Sequence, residues 1–198
     1  MRVNADAMTL YAVTDRIWVK DTTLMDQVKE ALEGGITFLQ LREKHLSKEE
    51  FIKEAREMKE LSKEYKVPFV INDNIEVALA VDADGVHIGQ NDMSVEEARK
   101  LLGEDKIIGV SAHNVEEAIK AQKGGADYLG VGAVCATSTK KDANVVSKEE
   151  IKKICHTVEI PVVAIGGIKK ENIKTLEGTD VDGAVSYTHL RAHETPEH

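Results

Sequence analysis

Two aspartates, Asp73 and Asp92, each follow a short apolar stretch of the chain, in the segments VPFVINDN and ADGVHIGQND. If these stretches are consecutive parallel strands, the two carboxylates emerge at the same edge of one sheet. Two oxygen ligands at one edge suit Mg²⁺, which binds one or two protein carboxylates and fills its other positions with water and substrate phosphate. The alternative is that each aspartate starts a turn or caps a helix. The context that the two residues share favours a magnesium site.

Cationic side chains follow another strand-like stretch, in the segment FLQLREK. Residues two apart in extended backbone point the same way, so Gln40, Arg42 and Lys44 are predicted to share one face. Arginine binds phosphate oxygens as a planar fork, whereas lysine acts as a point charge. A solvated cluster of surface charges is the alternative, and it is less favoured because these residues end an apolar strand. Cations beside a magnesium site describe a pocket for a diphosphate.

Polar residues also end the stretch before Asp73 and one further strand-like stretch. Asn72 directly precedes Asp73, and Ser111 and His113 lie in the segment GVSAH. A serine at such a position can donate a hydrogen bond to a phosphate oxygen, but the sequence shows no triad that would activate it as a nucleophile. His113 stays open between a structural polar residue and a ligand.

A long irregular stretch, 134–147, carries hydroxyl side chains and a lysine: Thr137, Ser138, Thr139 and Lys140. Such a loop can fold over a bound ligand, with its hydroxyls and amides on one phosphate and Lys140 on another. An ordinary polar surface loop is the alternative.

Two glycines, Gly166 and Gly167, follow the strand-like segment PVVAI. Glycine lets backbone amides approach an anion closely, so these positions predict a second anion site. Two separate anion sites imply two phosphorylated substrates or one bisphosphate. Two substrates would indicate a group transfer.

Strand-like and helical stretches alternate along nearly the whole chain, which predicts a parallel sheet. The predicted strands span 9–14, 36–41, 68–72, 85–89, 106–111, 127–132, 161–166 and 182–186. Eight strands favour a closed (β/α)₈ TIM barrel over an open doubly wound sheet, which stays the alternative. In such a barrel the loops after the strands meet on one face, where they would bring the polar residues above together.

Residues that start helices stand before the helical stretches. The predicted N-caps are Ser47, Ser94, Asn114 and Ser147. Ser47 with Glu50 has the spacing of a capping box, in which each residue satisfies a backbone amide of the other.

Composition limits the classes of function. The chain has 198 residues, which fits one domain, and a formal net charge of −9, which argues against nonspecific binding to nucleic acid or acidic membranes. Two cysteines without metal-site spacing indicate a reduced, cytoplasmic setting. The opening MRVNADAM is too polar for a signal peptide, and no apolar run is long enough to span a bilayer.

The segments QLREK, INDN, HIGQND, GVSAH, TSTKKD and AIGGI, in this order, closely resemble the thiamine-phosphate synthase family. The resemblance runs from about Thr9 to Ser186. It implies a TIM barrel that joins 4-amino-2-methyl-5-hydroxymethylpyrimidine diphosphate to a thiazole phosphate, with thiamine monophosphate and pyrophosphate as products. It also implies that Asp73 and Asp92 hold Mg²⁺.

The resemblance implies roles for the other site residues as well. Those expected to bind the pyrimidine diphosphate or its pyrophosphate are Gln40, Arg42, Lys44, Asn72, Ser111 and Lys140. Of these, Arg42, Lys44 and Lys140 are expected to be catalytic, because their positive charges would stabilise the departing pyrophosphate. Those expected to bind the thiazole phosphate are Thr137, Ser138, Thr139, Gly167, Val185 and Ser186.

The two ends of the chain differ from the family pattern. We expect an N-terminal extension at 1–8, a catalytic barrel at 9–186 and an atypical tail at 187–198. The tail lacks apolar periodicity, so we expect it to be foreign, from a frameshift or an assembly error after Ser186, and we expect the barrel to lack its final helix.

Three other functions are compatible with the same barrel. A thiazole tautomerase would not need the paired aspartates or the cations of the REK segment. A catalytically idle ligand-binding barrel is compatible with the atypical tail. A phosphate-binding isomerase or epimerase would need a general base, which the sequence does not identify. A homo-oligomer is left open.

Overall fold

Eight parallel strands form the centre of the protein. The computed structural model describes residues 2–135 and 145–187. Each strand pairs with the next and β8 pairs with β1, so the barrel is closed. The strands are β1 Leu10–Val13, β2 Phe38–Leu41, β3 Phe69–Asn72, β4 Gly85–Ile88, β5 Ile107–Ala112, β6 Tyr128–Gly132, β7 Val162–Ile165 and β8 Gly183–Tyr187. The predicted TIM barrel is therefore confirmed.

Helices follow the strands, as the alternating pattern predicted. The α-helices are α1 Leu24–Glu33, α2 Lys48–Glu64, α3 Ile75–Ala80, α4 Val95–Leu102, α5 Val115–Gly124 and α6 Lys148–Thr157. A short 3₁₀ turn, Ile173–Leu176, lies between β7 and β8. The predicted absence of the final helix concerns 188–198, which lie outside the described residues, and so it stays a prediction.

The four predicted N-caps are confirmed, since Ser47, Ser94, Asn114 and Ser147 each accept a hydrogen bond from the first turn of the following helix. At α2 the capping box is complete: Ser47 Oγ accepts from the Glu50 amide, and the Glu50 carboxylate accepts from the Ser47 amide.

Replacing Ser47 with alanine is expected to lower the free energy of unfolding by about 1 kcal/mol, because the first turn of α2 loses the acceptor for one of its amides. Urea unfolding followed by circular dichroism measures the loss. Glu60→Ala, at an exposed position of the same helix, is the control and should change stability by less than about 0.5 kcal/mol. Equal effects of the two variants would contradict the importance of the cap.

Apolar side chains fill two layers. Along β2, Leu39 and Leu41 face outward and pack among the residues beneath the helices. Phe38 faces inward and packs with Tyr11 and Tyr128 inside the barrel. The alternation follows from the strand period of two, and it places every second residue of a strand in the barrel interior.

The N-terminal residues close the lower end of the barrel. Val3 and Met8 belong to the interior cluster, and Met8 is fully buried. Arg2 forms an ion pair with the buried Asp127, which also pairs with Arg99. The first residues of the described chain therefore cover the end opposite the strand carboxyl termini. No helix within 2–135 or 145–187 is long and apolar enough to cross a membrane.

Candidate functional site

The two predicted metal ligands lie together at the carboxyl end of the barrel. Asp73 directly follows β3 and Asp92 lies just beyond β4. Lys44 Nζ is 2.6 Å from Asp73 Oδ2. Displacement of water by neighbouring protein atoms raises the pKa of the Asp92 carboxyl, and the facing Asp73 carboxylate adds to the rise. The site thus holds two acids side by side, and Lys44 forms an ion pair with one of them.

Local backbone structure directs both carboxylates. Asp73 has a φ of 59°, a left-handed conformation, and its amide donates to the His87 carbonyl at 2.8 Å. Asn74, rather than Asp73, caps α3. Asp92 Oδ2 accepts from the Gly89 amide at 2.6 Å, so this aspartate closes a turn as well as facing its neighbour. The alternative role as a turn residue is therefore correct for Asp92 and does not displace it from the site.

The predicted cations follow the end of β2, and Lys44 reaches the acidic pair. Arg42 is half-buried, and its Nη1 lies 3.4 Å from Oδ2 of the buried Asp15. Its backbone amide donates to Thr14 Oγ1 at 3.0 Å. A cavity of about 250 Å³ opens here, lined in part by Asp15, Arg42 and Lys44. The end of β1, which the sequence did not single out, therefore helps to orient the arginine.

Gln40 lies deeper than the two cations. Only 3% of the residue is exposed, and its Nε2 donates to the Tyr11 hydroxyl at 2.7 Å. The three residues of the QLREK segment that were predicted to share one face therefore lie at different depths. Gln40 is inside the barrel and Lys44 is at the exposed rim.

Polar side chains continue across the interior from Gln40 to Ser111. The Tyr11 and Tyr128 hydroxyls are 2.6 Å apart, His87 Nδ1 is 2.9 Å from the Tyr128 hydroxyl, and His87 Nε2 is 2.9 Å from Ser111 Oγ. Sequence reasoning missed Tyr11, Tyr128 and His87. The sequence feature that could have identified them is an aromatic or polar side chain at an inward position of a strand that is otherwise apolar.

Two other predicted residues are also placed. Asn72 ends β3 and is half-buried, in register with His87 of β4. His113 bonds Glu117 instead: its Nδ1 lies 2.9 Å from Glu117 Oε2, and its amide donates to the same oxygen at 2.8 Å. Of the two roles left open for His113, its contacts favour the structural one.

The predicted second anion site is described only in part. Gly166 and Gly167 adopt positive φ of 97° and 67°, and Asn172 Nδ2 donates to the Gly167 carbonyl at 2.8 Å. Val185 packs in the barrel interior, and Ser186 is half-buried. The remaining predicted members lie outside the described residues: Thr137, Ser138, Thr139 and Lys140.

The donor set at the acidic pair fits magnesium. Within 2–135 and 145–187 there is no group of three or more His, Cys, Asp or Glu side chains that could hold a metal ion. Two carboxylates suffice for Mg²⁺, which keeps several waters and takes further oxygens from a substrate phosphate. Asp73 and Asp92 are the residues that would hold it.

Replacing Asp92 with asparagine is expected to raise the Tm of the metal-free protein at neutral pH. A folded-state pKa above the unfolded value means that ionising Asp92 costs stability, and this cost grows as pH rises through the interval between the two values. The gain should therefore vanish as pH falls toward the ordinary aspartate pKa of about 3.9.

Calorimetry across this pH range, without divalent metal, measures the effect. Glu76→Gln is the control of opposite sign, because Lys48 lowers the pKa of the Glu76 carboxyl. It should not raise Tm at neutral pH. A neutral-pH Tm of Asp92→Asn at or below that of the wild type would contradict the expectation.

Comparisons with known proteins identify the family of the chain. The family model described as thiamine monophosphate synthase matches residues 10–190. The chain is 55% identical to the thiamine-phosphate synthase of Clostridium acetobutylicum over 174 residues, which covers 88% of this chain and 82% of the relative. It is 49% identical to that of Methanobrevibacter smithii over 176 residues, which covers 89% and 84%.

Solved structures give the same result. The thiamine phosphate pyrophosphorylase from Pyrococcus furiosus superposes with a TM-score of 0.86 at 41% identity, over 96% of this chain and 90% of the other. An N-acetylmannosamine-6-phosphate 2-epimerase from Clostridium perfringens, at 18% identity and a TM-score of 0.67 over 92% and 88% of the two chains, shares the fold alone. By its sequence, its barrel and the family model it matches, this chain belongs to the thiamine monophosphate synthase family.

Proposed function

We propose that this protein is a transferase of thiamine biosynthesis. It joins 4-amino-2-methyl-5-hydroxymethylpyrimidine diphosphate to a thiazole phosphate and releases thiamine monophosphate and pyrophosphate. The observation that carries the proposal is the pair of facing carboxylates, Asp73 and Asp92, with Lys44 bound to one of them. A thiazole tautomerase or a simple phosphate-binding barrel has no need of this metal-type pair.

The diphosphate is proposed to bind at the ends of β2, β3 and β4. Arg42 and Lys44 supply positive charge there, and Asn72 supplies an amide at the end of β3. Asp15 contributes by holding the Arg42 guanidinium. Lys140 is proposed to contact the same diphosphate on the strength of the sequence resemblance. The net charge of −9 makes these local cations necessary for an anionic substrate.

Magnesium is the proposed metal. Asp73 and Asp92 would hold it, and it would supply positive charge that makes pyrophosphate a better leaving group. The chain's own contribution is to place two carboxylates at one point and to keep Lys44 within reach of both acid and substrate.

The proposed chemistry is a dissociative substitution at the pyrimidine methylene. Breaking the methylene–oxygen bond leaves positive charge that the aminopyrimidine ring delocalises, while the bonding electrons depart with pyrophosphate. Arg42 and Lys44 stabilise the departing negative charge in fixed positions, so little reorganisation is needed as it develops. The thiazole nitrogen then attacks the methylene carbon. No protein nucleophile is required.

The thiazole phosphate is proposed to bind across β6, β7 and β8. Gly167 supports this assignment because its positive φ of 67° opens the backbone after β7 toward an anion. Val185 turns its side chain into the interior, so its contact with the ligand would come from the backbone. Ser186 and the hydroxyl residues Thr137, Ser138 and Thr139 complete the proposed set from the sequence resemblance.

A cytoplasmic location is also proposed. Cys135 and Cys155 are free thiols, and a reducing compartment keeps thiols in this state. Binding of nucleic acid or membrane is not part of the proposed function. A homo-oligomer is left to a measurement of mass in solution.

Incubation with both substrates and Mg²⁺ tests the function. The expected products are thiamine monophosphate and pyrophosphate in equal amounts, formed only when both substrates and the metal are present. Conversion of the thiazole phosphate alone would indicate a tautomerase. Binding of either substrate without product would indicate a ligand-binding barrel, and both of these results would overturn the proposal.

A further inference from the structure

A continuous chain of hydrogen bonds crosses the barrel interior. It runs from Gln40 on β2 to Tyr11 on β1, then to Tyr128 on β6, His87 on β4 and finally Ser111 on β5. Its four links measure 2.7, 2.6, 2.9 and 2.9 Å. The sequence resemblance implies that the residues at the two ends, Gln40 and Ser111, contact the pyrimidine diphosphate, and we include them in the proposed binding site. The three middle side chains have no role in the reaction as described.

Space for this chain is built into the strands. A Cβ on Gly109 would lie 2.0 Å from the Tyr128 ring, and a Cβ on Gly130 would lie 3.1 Å from His87 Cε1. Any larger residue at Gly109 would therefore displace the tyrosine that joins the two halves of the chain. Because Gly109 and Gly130 have no side chains, Tyr128 and His87 can occupy this part of the interior.

When His87 is neutral, each of the three middle side chains has one hydrogen to donate. A neutral tyrosine hydroxyl donates once, and a neutral histidine carries one proton on one of its two ring nitrogens. Burial raises the pKa of both the Tyr11 and the Tyr128 hydroxyl, so both stay protonated at neutral pH. With one hydrogen at each link, the direction of donation at one end fixes the direction at every other link.

With His87 neutral, only two arrangements of donors and acceptors satisfy these four hydrogen bonds. In the first, the Gln40 amide nitrogen donates to Tyr11, each hydroxyl donates onward, His87 is protonated at Nε2, and Ser111 accepts and keeps its own hydrogen for a ligand. In the second, every donation reverses. The Gln40 carbonyl oxygen accepts from Tyr11, His87 is protonated at Nδ1, and the Ser111 hydroxyl donates to His87 Nε2. A mixed setting leaves two donors or two lone pairs facing each other inside the barrel, which is costly for buried groups.

We propose that Tyr11, Tyr128 and His87 are positioning residues that set the hydrogen-bonding polarity of Gln40 and Ser111 as one unit, and so select a 4-aminopyrimidine over its 4-oxo counterpart. This inference rests on the proposed function, because it takes Gln40 and Ser111 as contacts of the pyrimidine. An amino group needs an acceptor, and the first setting turns the Gln40 carbonyl oxygen away from Tyr11 toward a ligand. A 4-oxo group reverses donor and acceptor and favours the second setting.

The histidine tautomer reports the setting directly. Protein labelled with ¹⁵N-histidine is measured by NMR above the ordinary histidine pKa of about 6.5, with His87→Gln used to assign the signals. The probe is unphosphorylated 4-amino-2-methyl-5-hydroxymethylpyrimidine, which needs no metal. We expect His87 of the wild type to carry its proton on Nε2 when this probe is bound.

Tyr128→Phe removes the hydroxyl and keeps the ring that packs on Phe38. It is expected to give His87 a mixture of tautomers. The preference for the amino compound, measured as the ratio of the dissociation constants of the 4-oxo and 4-amino compounds, should fall at least about fivefold, which corresponds to the loss of one hydrogen bond of about 1 kcal/mol. Tyr11→Phe should cut the preference similarly. Tyr65→Phe, whose hydroxyl faces Glu33 on the outside of the barrel, is the matched control and should change neither quantity.

The outcomes separate the two proposals. A wild type that forms thiamine monophosphate while Tyr128→Phe keeps both the His87 tautomer and the amino preference would overturn the polarity chain and leave the function standing. A wild type that binds neither compound and forms no product would overturn both. A circular dichroism spectrum like that of the wild type shows that each phenylalanine variant is folded before it is compared.

Discussion

Asp73→Asn is expected to reduce turnover at least about 100-fold, the size of effect seen when one fixed electrostatic contact to a developing charge is removed. The change takes away one of two facing carboxylates and leaves Lys44 without its 2.6 Å partner. Asparagine is the right replacement because it tolerates the φ of 59° at this position, where alanine would add backbone strain. The loss therefore reports charge and not misfolding.

Initial rates of thiamine monophosphate formation, at saturating levels of both substrates and across a Mg²⁺ titration, measure this effect. Asp82→Asn is a closely matched control: Asp82 also has a positive φ, of 53°, and pairs with lysines, yet it lies before β4 at the opposite end of the barrel. Its turnover should stay within about twofold of the wild type, because Asp82 lies at the end opposite the proposed site. The substitution is also expected to change the free energy of unfolding by no more than about 0.5 kcal/mol, as is usual for surface positions. Near-normal turnover of Asp73→Asn at saturating Mg²⁺ would remove Asp73 from the metal site.

Gly109→Ala is expected to lower the free energy of unfolding by about 3 kcal/mol, at the upper end of the range for overpacked cores. The added Cβ would meet the Tyr128 ring at 2.0 Å, and that ring is fully buried against Tyr11 and Phe38. Neither the ring nor the strand can shift without opening the barrel interior.

Urea unfolding followed by circular dichroism measures this loss. Gly34→Ala is the control, because Gly34 has an ordinary φ of −74° and its added Cβ would come no closer than 3.3 Å to a carbonyl oxygen. It should change the unfolding free energy by less than about 1 kcal/mol. Similar losses for the two variants would mean that the close approach at Tyr128 does not limit the packing.

The barrel could be predicted because its signals are local. Ser47 and Glu50 start α2 through bonds between residues three apart, and alternation along β2 separates outward Leu39 from inward Phe38. Such patterns set element type and approximate ends without reference to the rest of the chain. The position of Asp73 and Asp92 at one rim then follows from parallel strands, whose carboxyl ends share one face.

The interior chain could not be predicted in the same way. Strand alternation alone can place Tyr11, Tyr128 and His87 inside the barrel, but their meeting depends on register and closure across strands that are distant in sequence. The best available sign was glycine at 109 and 130, which leaves space in an interior otherwise filled by large side chains. The depth of Gln40 was missed for the same reason, because period two gives direction and not distance from the solvent.

The 2.6 Å contact between Lys44 and Asp73 has a thermodynamic consequence for the loading of the site. A divalent cation at the proposed metal site would compete with the Lys44 ammonium for the same Asp73 carboxylate oxygen. A diphosphate arriving alone meets a lysine that is already neutralised. With both present, Asp73 would hold the cation and the Lys44 ammonium would pair with the phosphate, so each ligand would remove the obstacle to binding of the other. Metal and diphosphate should accordingly bind with positive cooperativity, each tightening the dissociation constant of its companion by the same factor.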